Sequence, residues 1–291
     1  MIRAFWWSPL RDPGLLLDEC RLHSARWARL LVSSGRTLTN FGDAFSRLAL
    51  EDVTGVKVRW AHPKEAEVVG LGSILELYVS CGGQGASVWG SGLRAADARQ
   101  VAAHLGDVRA VRGPLSRAAL REAGVVADPA TGDPGVLVSG MVPRRTVERR
   151  GTGYVPHFGA WSTRAGRESM RVMASLGVEV IAPTLAPLAL AEQMQRRTLI
   201  LTSSLHAMIF SHSLGIPVQR VSLPGHQEPA FKYQDYLQSV RVEAPSLDLS
   251  SITSQDDLRR IWNSSSDRVP AALHGSAALI PGLVASARGL A

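Results

Sequence analysis

Thr198-Leu-Ile-Leu-Thr202-Ser-Ser-Leu-His206-Ala-Met-Ile-Phe210-Ser-His-Ser-Leu-Gly215-Ile-Pro217-Val-Gln-Arg-Val-Ser222 changes character twice. Thr198–Thr202 is a short apolar run that reads as a buried strand. Ser203 or Ser204 suits a helix N-cap, and Leu205–Leu214 reads as the helix that follows. Val218–Ser222 is a strand again. This order places His206 in the first helical turn, pointing at the strand ends. The positive end of a helix disfavours imidazolium, so His206 is expected neutral unless an anion sits beside it. A phosphate or carboxylate there would keep it protonated, as a proton donor. A capped, hydrogen-bonded histidine with no chemical role fits the same residues.

The same rhythm runs outward in both directions. Upstream, Gly153–Pro156 reads as a strand, Thr163–Leu176 as a helix, Val178–Ala182 as a strand and Ala186–Gln195 as a helix. The first half gives strands at Ile2–Trp7, Val56–Trp60, Glu67–Leu71, Ser87–Gly90 and Val108–Arg112. A helix at Phe41–Asp52 is entered through Thr39-Asn40, and one at Pro114–Ala123 has Pro near its start and Gly124 past its end. Between the halves, Ser139–Gly153 holds turn residues and the pairs Arg144-Arg145 and Arg149-Arg150, with no apolar period. The fold class read from this is α/β, with two Rossmann-like domains facing a cleft. The expected division is a first domain over 1–140, a linker over 141–153 and a second domain over 154–265. A helical segment over 266–291 is expected to pack back on the first domain. Ligands of such sheets sit at the carboxyl ends of the strands, near helix N-termini.

Composition narrows the classes. The chain has 291 residues, 45% apolar and 20% charged, which excludes disorder as the main state. Its net charge is +7, and Lys57, Lys64 and Lys232 are the only lysines, so 29 of its 32 basic residues are arginine. Arginine suits bidentate oxyanion contacts, although a GC-rich genome produces the same skew. Two cysteines, Cys20 and Cys81, exclude a disulfide framework and a four-cysteine metal site. No apolar run is read as reaching the ~18–20 residues of a membrane span. The apolar N-terminus is too short for a signal peptide, and Arg11 and Asp12 interrupt it. A cytoplasmic protein is expected. Trp6 and Trp7 with the arginine surplus are compatible with peripheral contact at the inner face of a membrane. There is no G-x-G-x-x-G, no P-loop and no basic stripe with interleaved aromatics, so nicotinamide cofactors, P-loop chemistry and nucleic acid find no support.

Five further junctions carry polar chemistry. Asn40-Phe-Gly-Asp43 opens a helix, where Asp43 serves capping or catalysis. Gly70-Leu-Gly72-Ser73, Gly82-Gly83 and Gly90-Ser91-Gly92 allow turns or close backbone approach by a ligand. Arg112, at a strand end two residues before a helix, can aim its fork into the cleft or at solvent. His157 in Tyr154-Val-Pro-His157 ends a strand and is either structural or ligand-facing. Lys232 sits in the aromatic and acidic run Phe231-Lys-Tyr-Gln-Asp-Tyr236.

Taken in order, these pieces resemble the polysaccharide pyruvyl transferase family, and most closely its exopolysaccharide ketal-pyruvate transferase branch. The matching stretches are Asn40–Asp43, Val69-Gly-Leu-Gly-Ser-Ile-Leu75, Val88-Trp-Gly-Ser-Gly92, Val111-Arg-Gly-Pro-Leu-Ser-Arg117, Gly132-Asp-Pro134, Val155-Pro-His157, Ser203-Ser-Leu-His206, Gly215-Ile-Pro217 and Lys232-Tyr-Gln-Asp-Tyr236. They span roughly residues 38–240. The resemblance implies a GT-B-like fold and transfer of a pyruvyl group from phosphoenolpyruvate to a sugar as a cyclic ketal. It implies no cofactor and no metal. Many relatives carry arginine where this chain has Ser204, and serine occurs in the branch it resembles most. The donor side is then expected at Arg112, Ser204, Leu205, His206 and Lys232, in the second domain apart from Arg112. His206 would be acid or phosphate ligand. The acceptor side is expected at Asn40, Asp43, Gly72, Ser73, Gly90 and Ser91 in the first domain and at His157 in the second, with Asp43 as base. The acceptor is expected to be a sugar, free or lipid-linked. A nucleotide-sugar glycosyltransferase of the same fold and a protein that binds an anionic polymer are the competing readings.

Overall fold

The computed structural model describes residues 1–33, 40–143, 148–161, 163–223 and 228–290. Thr39 at the expected helix entry and Arg144-Arg145 of the expected linker lie outside the described residues. Two parallel sheets organise the chain. Strands β1 (Ile2–Phe5), β2 (Val58–Trp60), β3 (Val68–Val69), β4 (Ser87–Ser91), β5 (Val108–Val111) and β6 (Ala130–Thr131) form the first, in the order β2-β1-β3-β4-β5-β6. Strands β7 (Thr152–Val155), β8 (Glu179–Val180), β9 (Leu199–Thr202), β10 (Val218–Ser222) and β11 (Leu247–Asp248) form the second, in the order β11-β10-β9-β7-β8. Ala4 pairs with Val68 in the first and Val155 with Thr202 in the second, both in parallel register. Each sheet reverses its direction of growth beside its first strand, between β1 and β3 and between β7 and β9. Those switch points are where an open α/β sheet leaves a crevice.

Helices α1 (Pro13–Leu22), α2 (Ser24–Ser33) and α3 (Phe41–Thr54) lie between β1 and β2. Helices α4 (Leu75–Ser80), α5 (Arg99–Ala102) and α6 (Pro114–Glu122) follow β3, β4 and β5, and α7 (Val138–Met141) precedes the second sheet. There α8 (Phe158–Trp161) and α9 (Arg164–Ser175) follow β7, and α10 (Pro187–Gln195) follows β8. Helices α11 (Leu205–Ser213) and α12 (Ala230–Val240) follow β9 and β10, and α13 (Gln255–Ser266) and α14 (Val269–Ser286) come last. The result is an α/β chain of two Rossmann-like sheets facing a cleft, the GT-B-like arrangement.

Alternation in β9 shows how the core is divided. Ile200 faces inward and joins a core that includes Phe5, Val69 and Trp89 of the first half. Leu199 and Leu201 face outward and pack with Tyr154, Met173, Leu258 and Ile261. Buried on both faces, the strand reads as a continuous apolar run. A third cluster joins Trp27 and Leu30 of α2 to Phe158 of α8, with Trp7 beside them. The α1–α2 hairpin thus reaches from β1 to the second half.

Three sequence expectations need correction. Ser139, Gly140 and Met141 are helical in α7 rather than linker, because Val138 buries an anchor there. Helices α1 and α2 are absent from the sequence expectations; the apolar residues of α1 are divided between two clusters, Leu15 in the main core and Leu16 and Cys20 beside the cluster of Trp27 and Leu30. Val269–Ser286 is long and apolar enough to cross a membrane by length and composition alone. Small residues, His274 and Pro281 disguise the run. Its face bearing Ala272, Leu279 and Leu283 is buried, and the carbonyl of Leu283 accepts the indole N–H of Trp89 from β4 at 3.2 Å.

Candidate functional site

A cavity of about 390 Å³ opens between the carboxyl ends of the two sheets. Its wall takes Trp7 after β1, Ser73 after β3 and Arg94 after β4. His157 after β7, Ser204 and His206 after β9, and Glu228 and Lys232 after β10 complete it from the other side. Both topological switch points therefore border the same space.

From the first half, Asn40 caps α3 and its amide donates to Asp43 Oδ2 at 2.8 Å. Capping is thus the task of Asn40, and the Asp43 carboxyl is left to face the cavity. Burial pushes Asp43 up to about 7, with Lys232, Asn40 and Arg94 pulling against it and Asp133 adding to it. A carboxyl in that range holds and releases a proton near neutrality.

From the second half, Ser204 is the N-cap of α11, and no side chain caps that end. The first backbone N–H groups of this helix therefore lack intrahelical acceptors, the usual basis of an anion site. His206 is 7% exposed. Gly42 lies flat against its ring, since a Cβ there would overlap the imidazole. Burial lowers His206 to about 3, helped by Lys232 and Arg112, so it is neutral. Lys232 is buried, and its Nζ lies 2.7 Å from Glu228 Oε2. Burial brings the lysine down to about 8, with Glu228 opposing the fall. Burial alone would raise Glu228, but the charges of His157, Lys232 and Arg94 hold it well below its usual range. Arg94 approaches the same carboxylate at 3.5 Å. His157 Nδ1 lies 3.0 Å from the Gly159 nitrogen, whose N–H it accepts when the ring is neutral, and 3.4 Å from Glu228 Oε1, with which it pairs when the ring is protonated.

The structure brings Asn40, Asp43, Ser73, His157, Ser204, Leu205, His206 and Lys232 to the cavity wall. It does not bring Arg112, Gly72, Gly90 or Ser91 there. Arg112 is 0% exposed and pairs with the equally buried Asp235 at 3.0 Å. Its remaining donors go to Ser73 Oγ and the Leu93 carbonyl. It is a strut between β5 and α12, and touches the cavity only through Ser73. The glycines make room for protein rather than substrate. A Cβ on Gly72, whose φ is +116°, would lie 2.5 Å from Asp43 Oδ1. One on Gly90 would overlap Pro134. Ser91 donates to the Gly72 carbonyl at 2.9 Å.

Sequence reasoning missed Arg94 and Glu228. Arg94 stands two residues past Gly92 at the end of β4, the same strand-end signal that pointed to Arg112. Glu228 precedes Lys232 by four residues and lies just before α12, close enough in the chain for the two side chains to meet. Among the described residues no cluster of three His, Cys, Asp or Glu could hold a metal ion.

Comparison with solved structures finds the spinosyn rhamnosyltransferase SpnG complexed with spinosyn aglycone, at 14% identity and a TM-score of 0.30. That match covers 100% of this chain and 97% of the other, and at this score it adds nothing to the fold described above. No curated protein matches the chain. The model of the polysaccharide pyruvyl transferase family matches residues 80–221. That stretch runs from the end of α4 through most of β10 and contains Arg94, Asp133, His157 and Ser204–His206. Over that stretch, just under half of the chain, it is similar to the polysaccharide pyruvyl transferase family.

Proposed function

We propose that the chain transfers the pyruvyl group of phosphoenolpyruvate to two hydroxyls of a sugar in a cell-surface or exopolysaccharide precursor, forming a cyclic ketal and releasing phosphate. One observation carries this reading. Lys232, Arg94 and the uncapped end of α11 share a cavity with two groups able to move protons, Asp43 and His206. The cations now hold a carboxylate, that of Glu228, which is the kind of group the donor would present. The N-terminus of α11 suits its phosphate. With Arg112 buried, Arg94 and Lys232 form the clamp.

The chemistry needs one proton on the methylene carbon and one on the departing phosphate. Both come from the two sugar hydroxyls. Asp43, protonated at rest, gives its proton to the methylene carbon, while neutral His206 takes the first hydroxyl proton as that oxygen bonds to C2. The imidazolium then protonates the bridging oxygen as the C–O bond to phosphate breaks. The Asp43 carboxylate takes the second hydroxyl proton as the ring closes. Both groups return to their starting states. Asp43 thus begins as the acid, where the sequence suggested a base, because burial raises its pKa. The donor's negative charge favours the step in which His206 is cationic. The acceptor lies beside Asn40, Ser73 and His157.

Three measurements test this. Phosphoenolpyruvate should raise the unfolding temperature more than a uridine diphosphate sugar does; the reverse result would favour glycosyl transfer. His206→Ala should stop acceptor-dependent phosphate release, and a folded variant with wild-type turnover would overturn the assignment. In the host, loss of the protein should remove the pyruvyl mass increment from the surface glycan.

A further inference from the structure

The turn Gly132-Asp133-Pro134 follows β6 and takes no part in the scheme above. Asp133 is fully buried. Its Oδ1 accepts the Gly135 N–H at 2.9 Å. Its Oδ2 is buried with no hydrogen-bond partner among the described residues, and so is Nε2 of His206. These two atoms lie 3.8 Å apart. Leaving either unpaired in the interior costs about 1–3 kcal/mol. The turn is seated closely: Pro134 packs onto Gly90, and a Cβ on Gly135 would come within 3.0 Å of Ile209 Cγ2 in α11. The other charges facing the pair are Arg112 and Asp235 on the Asp133 side, and Lys232 and Arg112 on the His206 side. Asp43 also feels the charge of Asp133.

We propose that Asp133 is the positioning residue of His206. Its Oδ2 receives the Nε2 proton, which leaves the Nδ1 lone pair, beside Gly42, as the one offered to the cavity. The same carboxylate stabilises the imidazolium once Nδ1 has taken a proton. A shift of roughly 1 Å converts the present separation into a charge-assisted hydrogen bond. The inference deepens the proposed function, since it rests on His206 as a proton carrier. Burial raises Asp133 to about 6, so it is ionised above neutral pH and able to accept.

The test is ¹⁵N NMR of the full chain with labelled histidine at pH 7.5. The His206 signals are assigned by their loss in His206→Gln. In the wild type the proton should sit on Nε2. In Asp133→Asn the Gly135 N–H retains the amide oxygen, so the amide NH₂ faces Nε2 and the proton moves to Nδ1. With that change, kcat should fall roughly a hundredfold or more, while KM for phosphoenolpyruvate stays within about twofold, as expected for a group acting only in the transition state. A wild-type proton on Nδ1 overturns the proposal, even if the variant does not fold. So does a folded Asp133→Asn with an unchanged tautomer. The tautomer is read without substrate, so a chain that releases no phosphate from phosphoenolpyruvate would refute the proposed function and leave this result standing.

Discussion

Arg94 and Arg112 both follow strands of the first sheet, and both looked alike as sequence, a cation at a carboxyl end. Burial separates them. Arg112 and Asp235 are closed off from water, so removing the guanidinium strands a charge in the interior. Arg112→Met should lower unfolding stability in urea by about 3–5 kcal/mol. Arg94 is half exposed, and its approach to Glu228 is a weak pair. Arg94→Ala should leave stability within about 0.5 kcal/mol and raise KM for phosphoenolpyruvate roughly tenfold, the loss of one charge-assisted contact. In the proposed cycle Asp43 starts protonated, and burial raises its pKa to about 7. The pH profile of kcat/KM should therefore fall on the alkaline side from near neutrality, and Asp43→Asn should remove activity while keeping the fold. Asp43 and His206 were legible because Asn40 and Ser204 mark helix starts, and Lys232 because it is one of only three lysines in the chain. Glu228 and Asp133 were not, because their roles depend on partners distant in the chain.

At the scale of elements, strands and most helices were readable because each buries a periodic face. Helix α11 is buried on every side, and its run Leu205–Phe210, apolar but for His206, already marks it as interior. The glycine junctions were legible as turns but not in purpose. Gly90 adopts φ +82° and gives Pro134 its seat. Gly90→Ala should cost about 2–4 kcal/mol, adding backbone strain to a clash that displaces the turn bearing Asp133. Its kcat should fall along with its thermal midpoint, whereas an exposed glycine such as Gly124 should tolerate alanine with a stability change alone. Helix α14 escaped notice as an apolar run, yet it is pinned to β4 through Trp89 and to the end of α12, where Gly275 leaves no room for a Cβ beside the Val240 carbonyl.

Over the whole molecule, buried titratable groups set opposing pH trends. Asp43 and Asp133 have folded pKa values raised to about 7 and about 6, above those of the unfolded chain. Their contribution is fully present below about pH 4 and is lost as pH rises through those values. His206 and His212 are both lowered to about 3 by burial. Their contribution is fully present above about pH 6.5 and is lost as pH falls toward 3. Asp43→Asn should therefore stabilise the chain at pH 8, by on the order of 2–4 kcal/mol, with the gain vanishing near pH 4; urea midpoints at the two pH values check it. The sequence by itself determined the alternation of strand and helix, and hence two parallel sheets, because periodicity and caps are local properties. It also singled out His206, Asp43 and Lys232 as candidate site residues. Only the tertiary structure decided which junctions meet. It buried Arg112 against Asp235, put Arg94 and Glu228 in the cavity wall, turned Gly72 and Gly90 toward protein rather than ligand, and set Asp133 opposite His206. Charge state and exposure depend on what packs from elsewhere in the chain, and no stretch of sequence carries that information alone.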